Sequence, residues 1–358
     1  MRWALLGVAV LSLVVLWDVD RTGDGNPVSL VQPGTRGPSA AVFAEDFPDT
    51  ELPDGTGHDG QQFYAIARQP MHLDAVTPHL DRPRYRLQRP LLPWLAWALH
   101  PTGGGTGLIA ALVAVNLAAA LAGGVAMGWL TRRAWAAALF PVLPGVYAAV
   151  RISTADALAV ALALAAVALS LRGRRWAAVL VAIAAVLAKE PTLLVFAGVA
   201  LWRRDRDGWV LVGAPAAVAA ALAGFLQMAV EHNGAGVVEF GVPFAGIARS
   251  ASRWWLDGQE AWAPAALGLA VVVAVVALWR RGLRTPAAAV AAVHLPFVAV
   301  LGPDVIGLNL NAPRATLPLL AFGLVALLAP ADQAGSRRTS MRRPARATGG
   351  VVTSDTSE

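Results

Sequence analysis

Long runs of Ala, Val and Leu, broken at intervals by short clusters of arginine, make up most of this chain. The first run is residues 3–17, WALLGVAVLSLVVLW. Others cover about 107–130, 134–150, 156–171, 209–230, 261–279, 286–301 and 313–330. Several have the length a bilayer-spanning helix needs, about 17–25 residues. They are too long, and too rich in Ala and Leu, for the strands of a membrane barrel. The pattern predicts an all-α polytopic membrane protein. No small-x-small cleavage site directly follows the first run, so residues 1–17 read as a signal-anchor helix. Residues 18–100 are rich in Pro and Gly and read as a large first extracytoplasmic loop with short helices. Within it, residues 90–100 are too short to span and read as an interfacial or re-entrant helix. Residues 101–330 form the transmembrane bundle, and the polar, basic stretch 331–358 reads as a disordered cytoplasmic tail.

The stretch 176–202, WAAVLVAIAAVLAKEPTLLVFAGVALW, decides the span count. Cytoplasmic loops are enriched in Lys and Arg. With Arg2 inside, Arg132-Arg133 and Arg172/Arg174/Arg175 also fall inside. A single crossing at 176–202 would put Arg203, Arg204 and Arg206 outside and invert later clusters. A hairpin of two short helices turning at Lys189-Glu190-Pro191 keeps them inside. Each arm then has only about 12–13 residues, roughly 18–20 Å of helix. Its tip must therefore dip into the bilayer under cover of neighbouring protein. The count becomes about ten transmembrane helices, with both termini cytoplasmic in a multi-pass cytoplasmic-membrane protein. Trp17, Trp129, Trp135, Trp176, Trp202, Trp209 and Trp279 sit at predicted span ends, as an aromatic belt requires.

Composition narrows the function. The chain of 358 residues is 56% hydrophobic and 15% charged, with a net charge of +6. The arginines lie at the ends of apolar runs, which is a topology signal rather than a nucleic-acid footprint. There is no cysteine, which excludes disulfides and thiol chemistry. Lys189 is the only lysine, and it lies inside an apolar region.

On this topology the unusual polar residues share the outer side. They are the 58–89 segment, Arg151 and Asp156, Lys189-Glu190, Glu231-His232, Glu239, Asp304 and the stretch around Arg314. A transporter is expected to carry its ionisable groups near mid-membrane. Grouping at one face suits an enzyme acting on a lipid-borne substrate. "LDRPRYRLQRP" brings Arg82, Arg84, Arg86 and Arg89 to the membrane against the charge rule. Guanidinium groups match phosphate oxygens bidentately. The plainer account pairs these arginines with Asp74 and Asp81, or with lipid headgroups. Asp59 followed by Gln62 is a capping-box variant, and the same carboxylate could accept a proton from an acceptor hydroxyl. Asp156 after Ser153 is a second such variant. Lys189 and Glu190 could form a neutralised hairpin tip or serve a substrate. His232 and His294 read as ordinary packed or interfacial histidines.

"HDGQQFYAIA" with "YRLQRPLLPWLAW" resembles the "(W/Y)DGxxYYxIA … YRxxRxLYPLLAW" pattern of bacterial integral-membrane glycosyltransferases of the GT-C superfamily, including proteins similar to the GPI mannosyltransferases. Asp59, Tyr64, Ile66, Ala67, Arg86, Arg89 and Pro93 carry the match. "LPGVYAAVRISTADALAVAL", "LAKEPTLL" and "NAPRATLPLL" resemble later helix-edge segments of such proteins. The resemblance implies a polyprenyl-phosphate-linked sugar donor, a glycan or lipid acceptor, and inverting single displacement at the extracytoplasmic face with Asp59 as base. It implies substrate contacts from His58, Tyr64, Arg86, Arg89, Arg151, Lys189, Glu190 and Arg314. No cofactor is implied; a divalent metal is possible, but two adjacent residues, His58-Asp59, are weak grounds for one. Membrane lipids are the other expected partner. Two alternatives stay open: a transporter or flippase of a lipid-linked or anionic substrate, and a non-catalytic partner that binds lipid-linked sugar.

Overall fold

The computed structural model describes residues 1–231, 240–256 and 258–330. His232, Glu239 and the tail 331–358 lie outside the described residues. Among those described, the fold is helical, with a single isolated bridge between Phe240 and Leu301. Helix α1 spans Arg2–Gly23. It continues six residues past the predicted end, so Trp17 lies inside it and the loop begins later than expected. The loop carries α2 (Ala40–Asp46), α3 (Gly60–Arg68), α4 (Leu73–Val76), α5 (Pro83–Leu87) and α6 (Leu91–Leu99). The bundle then runs α7 (Thr106–Thr131), α8 (Pro144–Arg151), α9 (Asp156–Leu171), α10 (Arg175–Ala188), α11 (Leu193–Arg203) and α12 (Arg206–Ala229). Next come α13 (Ala245–Leu256), α14 (Trp262–Arg281), α15 (Pro286–Ala299), α16 (Pro303–Ile306) and α17 (Asn311–Leu328).

Five of these, α1, α7, α12, α14 and α17, are long and apolar enough to cross a membrane. The shorter apolar helices α9, α10 and α15 accompany them. The run at 134–150 does not form one span. It breaks into a 3-10 turn at Ala134–Ala138 and the eight-residue α8. Pro141 and Pro144 account for the break, since neither can donate the backbone hydrogen bond that a continuing helix needs. The hairpin is present: α10 has 14 residues, α11 has 11, and a 3-10 turn at Glu190–Thr192 joins them.

α9 is buried almost all round, between α7 and α10. α17 is the most enclosed of the five long helices and packs on α14, α15 and α8, whereas α12 is the most exposed. Alanine and glycine set these distances. A Cβ on Gly198 of α11 would meet Val290 Cα of α15 at 2.6 Å, so the two backbones touch there. Small residues of this kind are what allow membrane helices to approach closely.

The arginine clusters gather at one end of the bundle. Arg172 stacks on Trp129, Arg175 pairs with Asp207, Arg203 donates to Ser170, and Trp202 donates to the Arg284 carbonyl. Gly7 of α1 packs on the turn just after Arg133, and Arg281 donates to the carbonyl of Ala329 at the end of α17. Both ends of the described chain therefore lie at this end. The loop, the hairpin tip and the start of α17 lie at the other. Arg84 fastens the loop to α12, donating to Gln227 Oε1 and the Val230 carbonyl, each at 2.7 Å.

Gly198→Ala should separate α11 from α15 and cost about 1–3 kcal/mol, an overpacking penalty. Thermal unfolding in detergent should show a lowered midpoint relative to the wild type.

Candidate functional site

Asp59 stands at the N-terminus of α3, where the capping reading expected its side chain to close the helix. It does not. Its carboxylate makes no capping bond. Instead, Arg86 Nη1 of α5 lies 2.8 Å from one oxygen and Arg314 Nη2 of α17 lies 3.1 Å from the other. Gln62, the expected partner in the box, accepts from the Asp81 backbone amide. The second capping reading fails in the same way. The Asp156 carboxylate accepts from Thr154 Oγ1 and pairs with Lys189, while Arg314 Nη1 lies 3.5 Å away. Charge attraction in a poorly solvated site outweighs a local backbone bond.

Asp81 completes the pattern, accepting from Arg86 Nε and Nη2 at 2.8 Å each. The result is an alternating chain: Asp81, Arg86, Asp59, Arg314, Asp156, Lys189. Its members come from the loop, α3, α5, α9, the hairpin turn and α17. Beside it, Arg89 donates to Glu190 Oε2 at 2.9 Å and to the Tyr85 hydroxyl at 2.6 Å. The Tyr85 ring makes cation–π contacts with the Arg82 and Arg89 guanidinium groups, 4.2 and 4.1 Å from its centroid. Arg86, Arg89 and Arg314 are each 6% exposed. The plainer account of the arginines thus holds for Arg86 with Asp81. It does not hold for Arg89, whose acid is Glu190 on the hairpin.

Burial pushes the Asp59 carboxyl up, but Arg86, Arg314, Arg89 and Lys189 outweigh it and hold the group well below the usual carboxylate range. Burial pushes His58 down, and Arg314 pushes it further, against the opposing charge of Asp59. For Tyr64, burial and the hydrogen bond to Asp46 raise the phenol well above its ordinary value.

These ions line one face of a cavity of about 280 Å³. Asp59, Arg86, Arg89, Lys189 and Arg314 all reach it. Phe240, Phe297, Leu301, Val305 and Leu308 form an apolar wall, and Thr192, Asp304 and Asn311 add further polar groups to the lining. Ala159, Val160, His294 and Pro318 line it from within the bundle helices. His294 of α15 is 1% exposed. Its Nδ1 lies 2.9 Å from the Val290 carbonyl, and its Nε2 has no protein partner among the described residues. Leaving a buried polar atom unpaired costs about 1–3 kcal/mol.

Four residues predicted to contact substrate, His58, Tyr64, Arg151 and Glu190, do not line the cavity. Tyr64 is fully buried and donates to Asp46 Oδ2 at 2.6 Å, and it accepts from the Gly105 amide. It pins the loop to the start of α7. Arg151 pairs with Asp18 and donates to Thr22 Oγ1 and the Ser29 carbonyl, which ties α8 to the end of α1. His58 is half-buried beside Asp59 without lining the space. Glu190 acts through Arg89. Sequence reasoning named Asp81 only as a partner for the loop arginines, read His294 as an ordinary packed or interfacial histidine, did not single out Tyr85, and credited Asp156 mainly with capping. A solitary lysine in an apolar run does imply a nearby acid, and that signal could have found Asp156. Among the described residues, no three His, Cys, Asp or Glu side chains gather where they could hold a metal ion. Comparisons with protein-family models, curated proteins and solved structures find no significant match.

Replacing Arg151 by Leu should cost about 3 kcal/mol, because Asp18 loses the partner it is held against. The loss should appear in thermal unfolding, with the charge chain intact. A pH titration tests the chain itself. Asp59 has a depressed folded pKa, so its stabilising contribution is complete above about pH 4 and disappears as the pH falls further. Asp59→Asn should be less stable than wild type at pH 7, with a shallower decline in unfolding temperature below pH 4.

Proposed function

We propose that this chain is a membrane glycosyltransferase of the GT-C type, taking a sugar from a polyprenyl-phosphate donor. The observation that carries the reading is the convergence of Asp59, Arg86, Arg89, Lys189 and Arg314 on one cavity that also has an apolar wall of Phe240, Phe297, Leu301, Val305 and Leu308. Such a space suits a phosphate attached to a hydrocarbon chain. Its volume is near the lower end for small-ligand pockets, about 300–1,000 Å³, which favours a single sugar over a long glycan.

In the reaction, an acceptor hydroxyl oxygen attacks the anomeric carbon of the donor. The bond from that carbon to the phosphate oxygen breaks, and the electron pair leaves with the phosphate. The hydroxyl proton passes to Asp59. One displacement inverts the anomeric configuration. Arg86 and Arg314 gain most in the transition state, where the phosphate takes on charge. They also hold Asp59 as a weak base. When the donor phosphate draws them away, the carboxylate loses its counter-charges and becomes more basic as the acceptor needs it.

Sidedness follows from the arginine end of the bundle. Ten passages between the two ends, counting the broken 134–151 segment and both hairpin arms, put the termini together. With the arginines cytoplasmic, the cavity opens extracytoplasmically. A flippase needs a polar path through the bundle, yet toward the arginine end α9 and α10 bury chiefly Ala, Val and Leu. The catalytic reading is therefore preferred.

Membranes bearing the wild type should transfer label from a set of polyprenyl-phosphate hexoses to endogenous acceptor. Asp59→Asn should lower the rate by about 100-fold or more, the usual range for a lost general base, while the protein remains monodisperse and membrane-inserted. A variant that turns over at the wild-type rate sinks the assignment.

A further inference from the structure

His294 lies apart from the charge chain, yet it lines the same cavity. It belongs to α15, five residues before the helix ends at Ala299. At 1.5 Å per residue it sits about 7.5 Å inside that end. The ionic residues, by contrast, occupy helix ends: Asp156 opens α9, Lys189 closes α10, and Arg314 lies in the first turn of α17. His294 is thus a polar residue deep among apolar neighbours, with Phe297 edge-on at 6.3 Å between ring centroids.

Its hydrogen bonding determines what it can accept or donate. The Val290 carbonyl can only accept, so Nδ1 carries the proton in the bond between them. In the neutral ring, Nε2 is then a bare acceptor. It is buried, and no protein donor among the described residues reaches it. Buried acceptors are normally paired, and an unpaired one on a side chain that lines a cavity is open to pairing with a donor from a ligand. A phosphate oxygen cannot supply one. A sugar hydroxyl can.

We propose that His294 is a binding residue at the inner wall of the cavity, its Nε2 accepting a hydrogen bond from a substrate hydroxyl. This rests on the glycosyltransferase reading. The hydroxyl belongs either to the sugar of the lipid-linked donor or to the acceptor. Phe is close in shape and cannot accept, so His294→Phe removes the bond while relieving the unpaired atom. The variant should fold at least as stably as the wild type, which separates a binding role from a structural one.

The test uses purified full-length protein. Binding of a synthetic polyprenyl-phosphate hexose and of the bare polyprenyl phosphate is followed by tryptophan fluorescence. Acceptor KM is measured in the transfer assay. If the hydroxyl is on the donor, His294→Phe should weaken the sugar-bearing lipid about tenfold and leave the bare lipid phosphate unchanged. If it is on the acceptor, both lipids should bind as before and acceptor KM should rise about tenfold. His294→Gln, which restores an acceptor, should recover part of either loss. Unchanged donor affinities together with an unchanged acceptor KM would overturn the assignment while leaving the Asp59 mechanism standing. Wild-type protein that binds neither lipid removes the functional reading, and this assignment with it.

Discussion

Charges of alternating sign, running from Asp81 through Arg86, Asp59, Arg314 and Asp156 to Lys189, hold together the end of the bundle that carries the loop, the hairpin tip and the start of α17. Each member alone would be costly to bury. Linked one to the next, each cation has an acid against it, and the four inner members, Arg86, Asp59, Arg314 and Asp156, each serve two partners. Removing one partner of such a pair leaves an uncompensated charge, which typically costs more than the pair contributes. The chain also joins segments far apart in sequence, since the Asp59–Arg314 contact spans 255 positions. The loop, the hairpin tip and the last long helix are therefore placed by one another.

That arrangement also explains why the site can respond to an anion. The network is nearly self-neutralising, so the cavity offers no large excess of positive charge. An entering phosphate must compete with carboxylates for guanidinium groups already engaged. Specificity then depends on whether the ligand repays the broken pairs with bidentate contacts, as a phosphate can. The apolar wall formed by Phe240, Phe297, Leu301, Val305 and Leu308 adds a second requirement, for hydrocarbon beside the phosphate.

Outside the cavity, two polar groups that look functional in sequence are structural braces. Arg151 and Tyr64 each bind three partners, or two partners and an aromatic ring, and face the loop. They keep the first loop seated on α1 and α7. Because Asp59 is carried by that loop, they position the candidate base without touching the reacting space.

Periodicity and charge were enough to specify the helical class, the hairpin at Lys189-Glu190-Pro191 and the boundaries of most long helices. These are properties of short stretches: apolar length, proline position, and arginine at the ends of runs. That Asp59, Arg86, Arg89, Lys189 and Arg314 would gather at one place was legible in the same way, because an ionisable group beside an apolar run needs a reason to be there. The rest depended on which helix faces meet. In a bundle built largely from Ala, Val and Leu, many pairings bury similar area, and close approaches such as Gly198 on Val290 select among them. Only after that selection does the Asp59 carboxylate turn from its own helix end to Arg86 and Arg314. Only then does Arg151 find Asp18, and only then does His294 reach the cavity with one nitrogen unpaired. Pairing across long separations is decided by geometry in three dimensions, and a one-dimensional pattern of polarity carries no record of it.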